Sequence, residues 1–225
     1  MYSDNEKKHK ISIPSYTLAE ELMNSISHGV GALMGLAMLV MCLVRAAQTG
    51  DAWKIVSAAI FGATTFLLYI MSCLYHALKV NRAKRVFRVF DHCTIFLLIA
   101  GTYTPFTLVT LREESPVIAW IIFGIIWAVA ITGVVFNSIN LKRFAKVSVV
   151  CYIAMGWMIV LAYRPMTRLM DPAGISLLLW GGIAYTVGAI LYAIGSKKRY
   201  FHFIFHLFCL GGTFLHFLAI YQYVL

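Results

Sequence analysis

Long, almost uninterrupted apolar runs constrain the fold of this chain more than any other feature of its sequence. A helix that crosses the hydrocarbon core of a bilayer needs about 20 mostly apolar residues. Seven stretches of the sequence meet this requirement: 23–44, 55–78, 89–111, 117–138, 147–163, 174–194 and 201–224. Backbone groups in lipid must find hydrogen bonds within their own segment, so we expect these stretches to be helices.

The composition agrees with a membrane location. Of the 225 residues, 61% are apolar and only 12% are charged, whereas soluble domains are about 25% charged. This balance excludes a soluble enzyme, a disordered chain and a secreted disulfide scaffold. The five cysteines form no CxxC pair, and we interpret them as packing residues. The sequence therefore predicts an all-α integral membrane protein, with a cytoplasmic tail over 1–22 and one transmembrane domain over 23–225.

The basic residues predict the orientation of the chain. Of 19 Lys and Arg, 14 fall in the tail and in alternate connections, and 5 fall in the other connections. Because Lys and Arg concentrate on the cytoplasmic side, we expect a cytoplasmic N-terminus and, after seven spans, an extracytoplasmic C-terminus. The net charge of +10 is then explained by the membrane topology and by attraction to anionic lipids. It does not indicate nucleic-acid binding. This orientation is opposite to that of G-protein-coupled receptors, and the last span has no Lys for a retinal Schiff base.

Ionisable side chains inside the apolar runs indicate a functional site, because such groups are costly in a membrane. His76 lies near the cytoplasmic end of the second run, and His202 and His206 begin the seventh run from the same side. Asp91 enters the third run three residues after Arg88. We therefore expect three histidines and one carboxylate, from three helices, at one depth.

The spacing of these residues fits a metal site. His202 and His206 are four residues apart and share one helix face, as do Ser72 and His76. Three imidazoles leave one coordination position open in a catalytic zinc site. Asp91 would hold or deprotonate a water there, and Ser72 would hydrogen-bond to that water or orient a ligand. Spacing alone leaves interhelical hydrogen bonding open as the alternative.

Other residues receive simpler interpretations. His202 and His206 do not form an HExxH motif, because Phe203 follows His202. This excludes a general base carried on the helix between the two histidines. We interpret His92 as structural, His216 as an outer-half residue, and His28 as either a member of the layer or a packing residue.

Pro105 is predicted to kink the third run or to free a carbonyl there. Glu21 lies just before the first run, so Asp91 is the one carboxylate that we expect inside the membrane.

Four blocks together carry a family resemblance: Ser72-Cys-Leu-Tyr-His76, Asp91-His92, Ile99-Ala-Gly-Thr-Tyr-Thr-Pro105 and His202-Phe-Ile-Phe-His206. The chain resembles the haemolysin III family of bacterial membrane proteins, within the progestin and adipoQ receptor superfamily. The adiponectin receptors and the more distant alkaline ceramidases are its relatives. The resemblance implies seven helices, a cytoplasmic N-terminus, a bacterial cell membrane, and Zn²⁺ near the cytoplasmic face. The zinc ligands would be His76, His202 and His206, with Asp91 and Ser72 beside them.

Several functions remain open at this point. The first is a zinc-dependent hydrolase of a lipid amide, with Asp91 as general base and a membrane lipid that enters laterally between helices. The second is a non-enzymatic sensor of membrane composition or fluidity, with structural zinc. Cytolysis follows from the family name, although the sequence shows no secretion signal or amphipathic pore strand. A channel or transporter is the weakest option, because no inverted repeat or buried charge path is visible.

Overall fold

The computed structural model describes residues 13–195 and 198–225, and these residues form helices joined by short turns. The helices are α1 (Leu18–Thr49), α2 (Ala52–Ala77), α3 (Arg82–Pro105), α4 (Arg112–Glu114), α5 (Pro116–Gly156), α6 (Tyr163–Leu169), α7 (Pro172–Gly195) and α8 (Phe201–Tyr223). The prediction of an all-α membrane protein is confirmed within these residues. Six helical stretches are long and apolar enough to cross a membrane.

The fourth of these stretches covers the fourth and fifth predicted spans. It runs over 54 residues, Pro116–Leu169, which would measure about 80 Å as one straight helix against a hydrocarbon core of about 30 Å. Asn140 interrupts it with non-helical backbone (φ −157°, ψ 86°), and its Oδ1 accepts from the Arg143 amide at 3.0 Å, as an N-cap does. A capped break thus replaces the loop expected between these spans. The count of seven spans and the orientation stay predictions.

Helix α1 begins before the first apolar run. The Thr17 side chain accepts from the Glu20 amide at 3.3 Å, and Glu20 Oε2 accepts from the Thr17 amide at 2.9 Å. This capping box satisfies amides that the first turn would otherwise leave unpaired. The helix therefore starts at Leu18, and the polar residues that precede the run join the bundle.

The helices pack side by side as an incomplete ring, in the order α5, α3, α2, α1, α8 and α7. Helix α1 packs against α2 and α8, α2 and α5 pack against α3, and α7 packs against α8, whereas α5 and α7 barely touch. Helix α3 is the most buried of the candidate spans. Pro105 does not break it, because the chain keeps helical dihedrals there and continues as a π-helical turn, Phe106–Leu111. The ring thus has one seam, between α5 and α7.

Candidate metal centre

The three histidines predicted as ligands come from the ends of two helices. His76 lies in the last turn of α2, and His202 and His206 lie in the first two turns of α8. Helix α8 starts after Tyr200, whose backbone is left-handed (φ 65°) and whose amide donates to Glu20 Oε1 at 3.0 Å. The start of α8 is thereby fixed against the start of α1.

The ring nitrogens of these histidines converge. Nε2 of His202 lies 3.2 Å from Nε2 of His76 and 3.0 Å from Nε2 of His206. The ligand atoms of the three residues all lie within 4.8 Å of one another. Nitrogens around a tetrahedral zinc, each about 2.0–2.1 Å from the metal, lie about 3.4 Å apart. The three imidazoles are therefore spaced nearly as zinc ligands are.

Hydrogen bonds behind two of the rings fix where their protons sit. His76 Nδ1 lies 2.7 Å from Glu21 Oε2, and a carboxylate only accepts, so Nδ1 carries the proton. Ser27 Oγ donates to Asn24 O at 3.0 Å. The same Oγ lies 3.3 Å from His206 Nδ1, so it can only accept there, and Nδ1 again carries the proton. In the neutral rings both Nε2 atoms then present lone pairs.

These lone pairs test whether a cation fits the site. Both His76 Nε2 and His206 Nε2 point their lone pairs toward His202 Nε2. A proton on His202 Nε2 could be donated to only one of them, which would leave the lone pair of the other without a donor. A cation at the centre satisfies all three, and three imidazoles are a donor set that zinc accepts. The residues present therefore fit a zinc ion.

Glu21 is a site residue that the sequence interpretation missed. The sequence places it just before the first apolar run and apart from the site, yet its side chain is only 17% exposed and it contacts His76. A signal was present in the spacing, because Glu21, Asn24 and His28 follow one another at intervals of three and four residues and share one face of α1. That face points at the histidines.

Asp91 and Ser72 occupy different places around the centre. Asp91 is 8% exposed, and it lines a cavity together with His202 and His206. Ser72 is 1% exposed, one turn before His76, and its Oγ has no hydrogen-bond partner among the described residues. Asp91 does not belong to the converging ligand group of His76, His202 and His206. The predicted catalytic roles of Asp91 and Ser72 stay predictions.

The cavity joins the histidines to the outer half of the bundle. Its volume is about 220 Å³. It reaches from His206 to His216, ten residues and about 15 Å further along α8. Its walls include the 145–156 part of α5, Trp157 directly after it and the 182–192 part of α7, and they are mainly apolar. The cavity therefore lies behind the seam of the ring.

The remaining intramembrane histidines lie outside the ligand group. His28 stacks on His206 with ring centroids 3.4 Å apart, so it packs against the layer. His92 Nδ1 donates to Arg88 O at 2.9 Å. His216 Nε2 donates to Leu178 O at 3.0 Å, in the outer half. The latter two bonds agree with the structural interpretation of His92 and the outer-half interpretation of His216.

The fold and the site together define an all-α, multi-span membrane protein with an intramembrane three-histidine centre. The family model described as "Haemolysin-III related" matches residues 16–217. The chain therefore belongs to the haemolysin III family, which confirms the resemblance inferred from the four sequence blocks.

Individual relatives agree with this assignment. Hemolysin-3 of Bacillus cereus is 42% identical over 206 residues, 92% of each chain. Hemolysin-3 homolog of Bacillus subtilis (strain 168) is 41% identical over 198 residues, 88% of this chain and 91% of the relative. Human monocyte to macrophage differentiation factor is 25% identical over 216 residues, 92% of this chain and 86% of the relative. No solved structure matches the chain significantly.

Proposed function

We propose that this chain is a zinc-dependent hydrolase of the cell membrane that cleaves an amide, or a related bond, of a membrane lipid. His76, His202 and His206 would hold the zinc ion. The observation that carries the proposal is the convergence of three Nε2 atoms beside an apolar cavity. It combines a candidate metal centre with a space that suits a lipid chain.

The side chains around the cavity suit a hydrolytic role. When bound, zinc supplies a Lewis acid that polarises a carbonyl and makes hydroxide available near neutral pH. Asp91 lines the same cavity as His202 and His206, and it would take a proton from the attacking water and pass it to the leaving group. Ser72, one turn before His76, would orient polar groups on the α2 side.

The seam between α5 and α7 suggests how a lipid would reach this site. These two helices barely touch, and residues of both line the cavity. A lipid could therefore enter sideways from the bilayer, with its polar linkage at the histidines and its chain along α8 toward His216. Because we expect the histidines to lie near one membrane face, the polar linkage of the lipid would then lie at headgroup level.

The test is hydrolysis by zinc-loaded protein in lipid nanodiscs. Ceramides and other fluorescent lipid amides and esters would be offered, and released fatty acid would be measured with zinc content in parallel. We expect release that stops when a chelator removes zinc. Asp91→Asn should retain zinc and slow hydrolysis by about 10²–10⁴-fold, the range that a general base contributes.

The matched control is Asp51→Asn. Asp51 caps α2 at the opposite end from His76, so its loss should leave hydrolysis unchanged. Fully zinc-loaded protein that leaves every lipid intact would contradict the hydrolase. If that protein also needs zinc to stay folded, the result would instead favour a sensor of membrane composition with structural zinc.

Cytolysis is a second candidate, favoured by the names of the two Bacillus relatives. Purified chain would be added to dye-loaded liposomes, and dye release would be measured. We expect no release, because a chain that is 61% apolar does not readily leave one membrane or micelle for another. Dose-dependent leakage that persists without zinc would establish cytolysis over hydrolysis.

A further inference from the structure

Lys84 is a buried cation next to the candidate metal centre. The residue is 1% exposed. Its Nζ lies 2.7 Å from Glu21 Oε1, 2.9 Å from Leu78 O and 3.4 Å from His76 O, and it lies 5.0 Å from the centre of the Tyr75 ring. An ammonium group has three N–H donors, so each donor finds an acceptor. The cation is held in one place.

Glu21 connects this cation to a candidate zinc ligand. One carboxylate oxygen accepts from Lys84, and the other accepts from His76 Nδ1, both at 2.7 Å. Because both oxygens are occupied, the carboxylate cannot rotate without breaking a charged hydrogen bond. The three side chains come from α3, α1 and α2, so the bonds tie three helices together at the site.

We propose that Glu21 is the positioning residue of the metal centre and that Lys84 is the counter-charge that holds Glu21 in place. The inference rests on the proposed metal site. A carboxylate behind a ligating histidine fixes the tautomer and orientation of the ring and increases its basicity. Here Glu21 keeps the proton on His76 Nδ1 and directs Nε2 toward His202 and His206.

The position of His76 explains why this ligand needs such support. His202 and His206 are four residues apart on α8, so one helix sets their relative placement. His76 comes from α2, and its distance to the pair depends on how two helices pack. A bond from its ring to Glu21 on α1, which also packs against α8, removes that freedom.

A purely architectural ion pair would make different predictions. Removing one partner of a buried pair leaves an unpaired charge and destabilises the fold strongly, whereas replacing both with neutral residues is often neutral or stabilising. If Glu21 and Lys84 only hold helices together, the double neutral replacement should restore both folding and metal binding. If Glu21 positions His76, folding should recover and metal binding should not.

The experiment compares Glu21→Gln, Lys84→Met and the double variant E21Q/K84M with the wild-type chain in detergent. Zinc affinity is measured by competition with a chelator, and the metal geometry is followed by the visible d–d absorption of Co²⁺-substituted protein. Glu114→Gln is the matched control, because Glu114 is an acid that pairs with Arg168 at 3.5 Å and lies at the opposite end of the Arg82–Glu114 stretch from Lys84.

We expect Glu21→Gln and the double variant to bind zinc about 10–100-fold more weakly, with an altered Co²⁺ spectrum, while Glu114→Gln keeps wild-type affinity and spectrum. A folded double variant with wild-type affinity and spectrum would overturn the inference and leave the metal site standing. A wild-type chain that binds no metal would overturn both. Weakened binding in a chain that hydrolyses no lipid would support the positioning role and reject only the hydrolase.

Discussion

The two sides of the histidine cluster are built differently. On the side of α1, α2 and α8, polar groups are bonded to one another at close range, as in the bond from His76 to Glu21 at 2.7 Å. On the side of α3, α5 and α7, the cluster faces a mainly apolar cavity of about 220 Å³, with Asp91 on its wall. The first side holds the three histidines in place, and the second leaves an open cavity. This division fits the proposed reaction on a membrane lipid, which needs a fixed centre and space for the lipid.

Loss of a ligand on the fixed side should have the largest effect. We expect His206→Ala to bind no zinc. Zinc present at 1,000 times its dissociation constant would stabilise the wild-type fold by about 4 kcal/mol. This corresponds to roughly 10 °C in melting temperature for a chain of this size. Thermal melts in detergent would measure the difference.

The control for that variant is the wild-type chain after zinc removal. His206→Ala should melt no higher than this zinc-free chain, because it also lacks a buried ring, and added zinc should raise the melting temperature of the wild type alone. A variant that gains the same stability from zinc would show that His206 is not a ligand.

The packing of α1 on α2 should give the next largest effect. A Cβ added to Gly62 would lie 2.6 Å from the Cα of Leu39, so the two helices would have to separate. We expect Gly62→Ala to lower the unfolding free energy by about 1–3 kcal/mol and to weaken zinc binding, because the separation reaches His76. Gly124→Ala, where a Cβ would meet nothing within 4 Å, should lower neither the unfolding free energy nor the zinc affinity. Equal behaviour of the two variants would contradict a tightly fixed α1–α2 side.

Filling the cavity should slow lipid hydrolysis and leave zinc binding unchanged. Ala189 lies on the α7 wall of the cavity. We expect Ala189→Phe to slow lipid hydrolysis about tenfold, equivalent to about 1.4 kcal/mol, at unchanged zinc content. Ala193→Phe, one turn further on the exposed face of the same helix, is the control. If neither substitution changes the rate of hydrolysis, the substrate binds elsewhere.

The smallest effect is expected at the segment before α1. The Tyr16 ring stacks on His202 with centroids 5.3 Å apart and planes 29° from parallel. Burial raises the pKa of the Tyr16 phenol, so it stays neutral over His202 across physiological pH. We expect Tyr16→Ala to let a chelator strip zinc a few times faster at little change in affinity, with exposed Ser15→Ala as the control. Stripping rates measured by stopped flow would show no difference if Tyr16 does not cover the site.

The sequence predicted the helical membrane fold and the three converging histidines for one physical reason. Apolar runs must be helical in lipid, and counting residues from a run's end gives depth, which brought His76, His202 and His206 to one level. Depth does not give rotation about each helix axis or the approach between helices. Glu21 was missed for that reason, since its contacts with His76 and Lys84 depend on how α1, α2 and α3 meet. The break at Asn140 was hidden because a capped kink needs no long polar loop.

The most direct test is the metal itself. Protein purified in detergent without chelator would be analysed for zinc content and by X-ray absorption at the zinc edge. The account predicts about one zinc per chain, with three imidazole nitrogens at about 2.0–2.1 Å and one further light-atom ligand. A folded chain that takes up no zinc, or a zinc bound through cysteine sulfur, would contradict it.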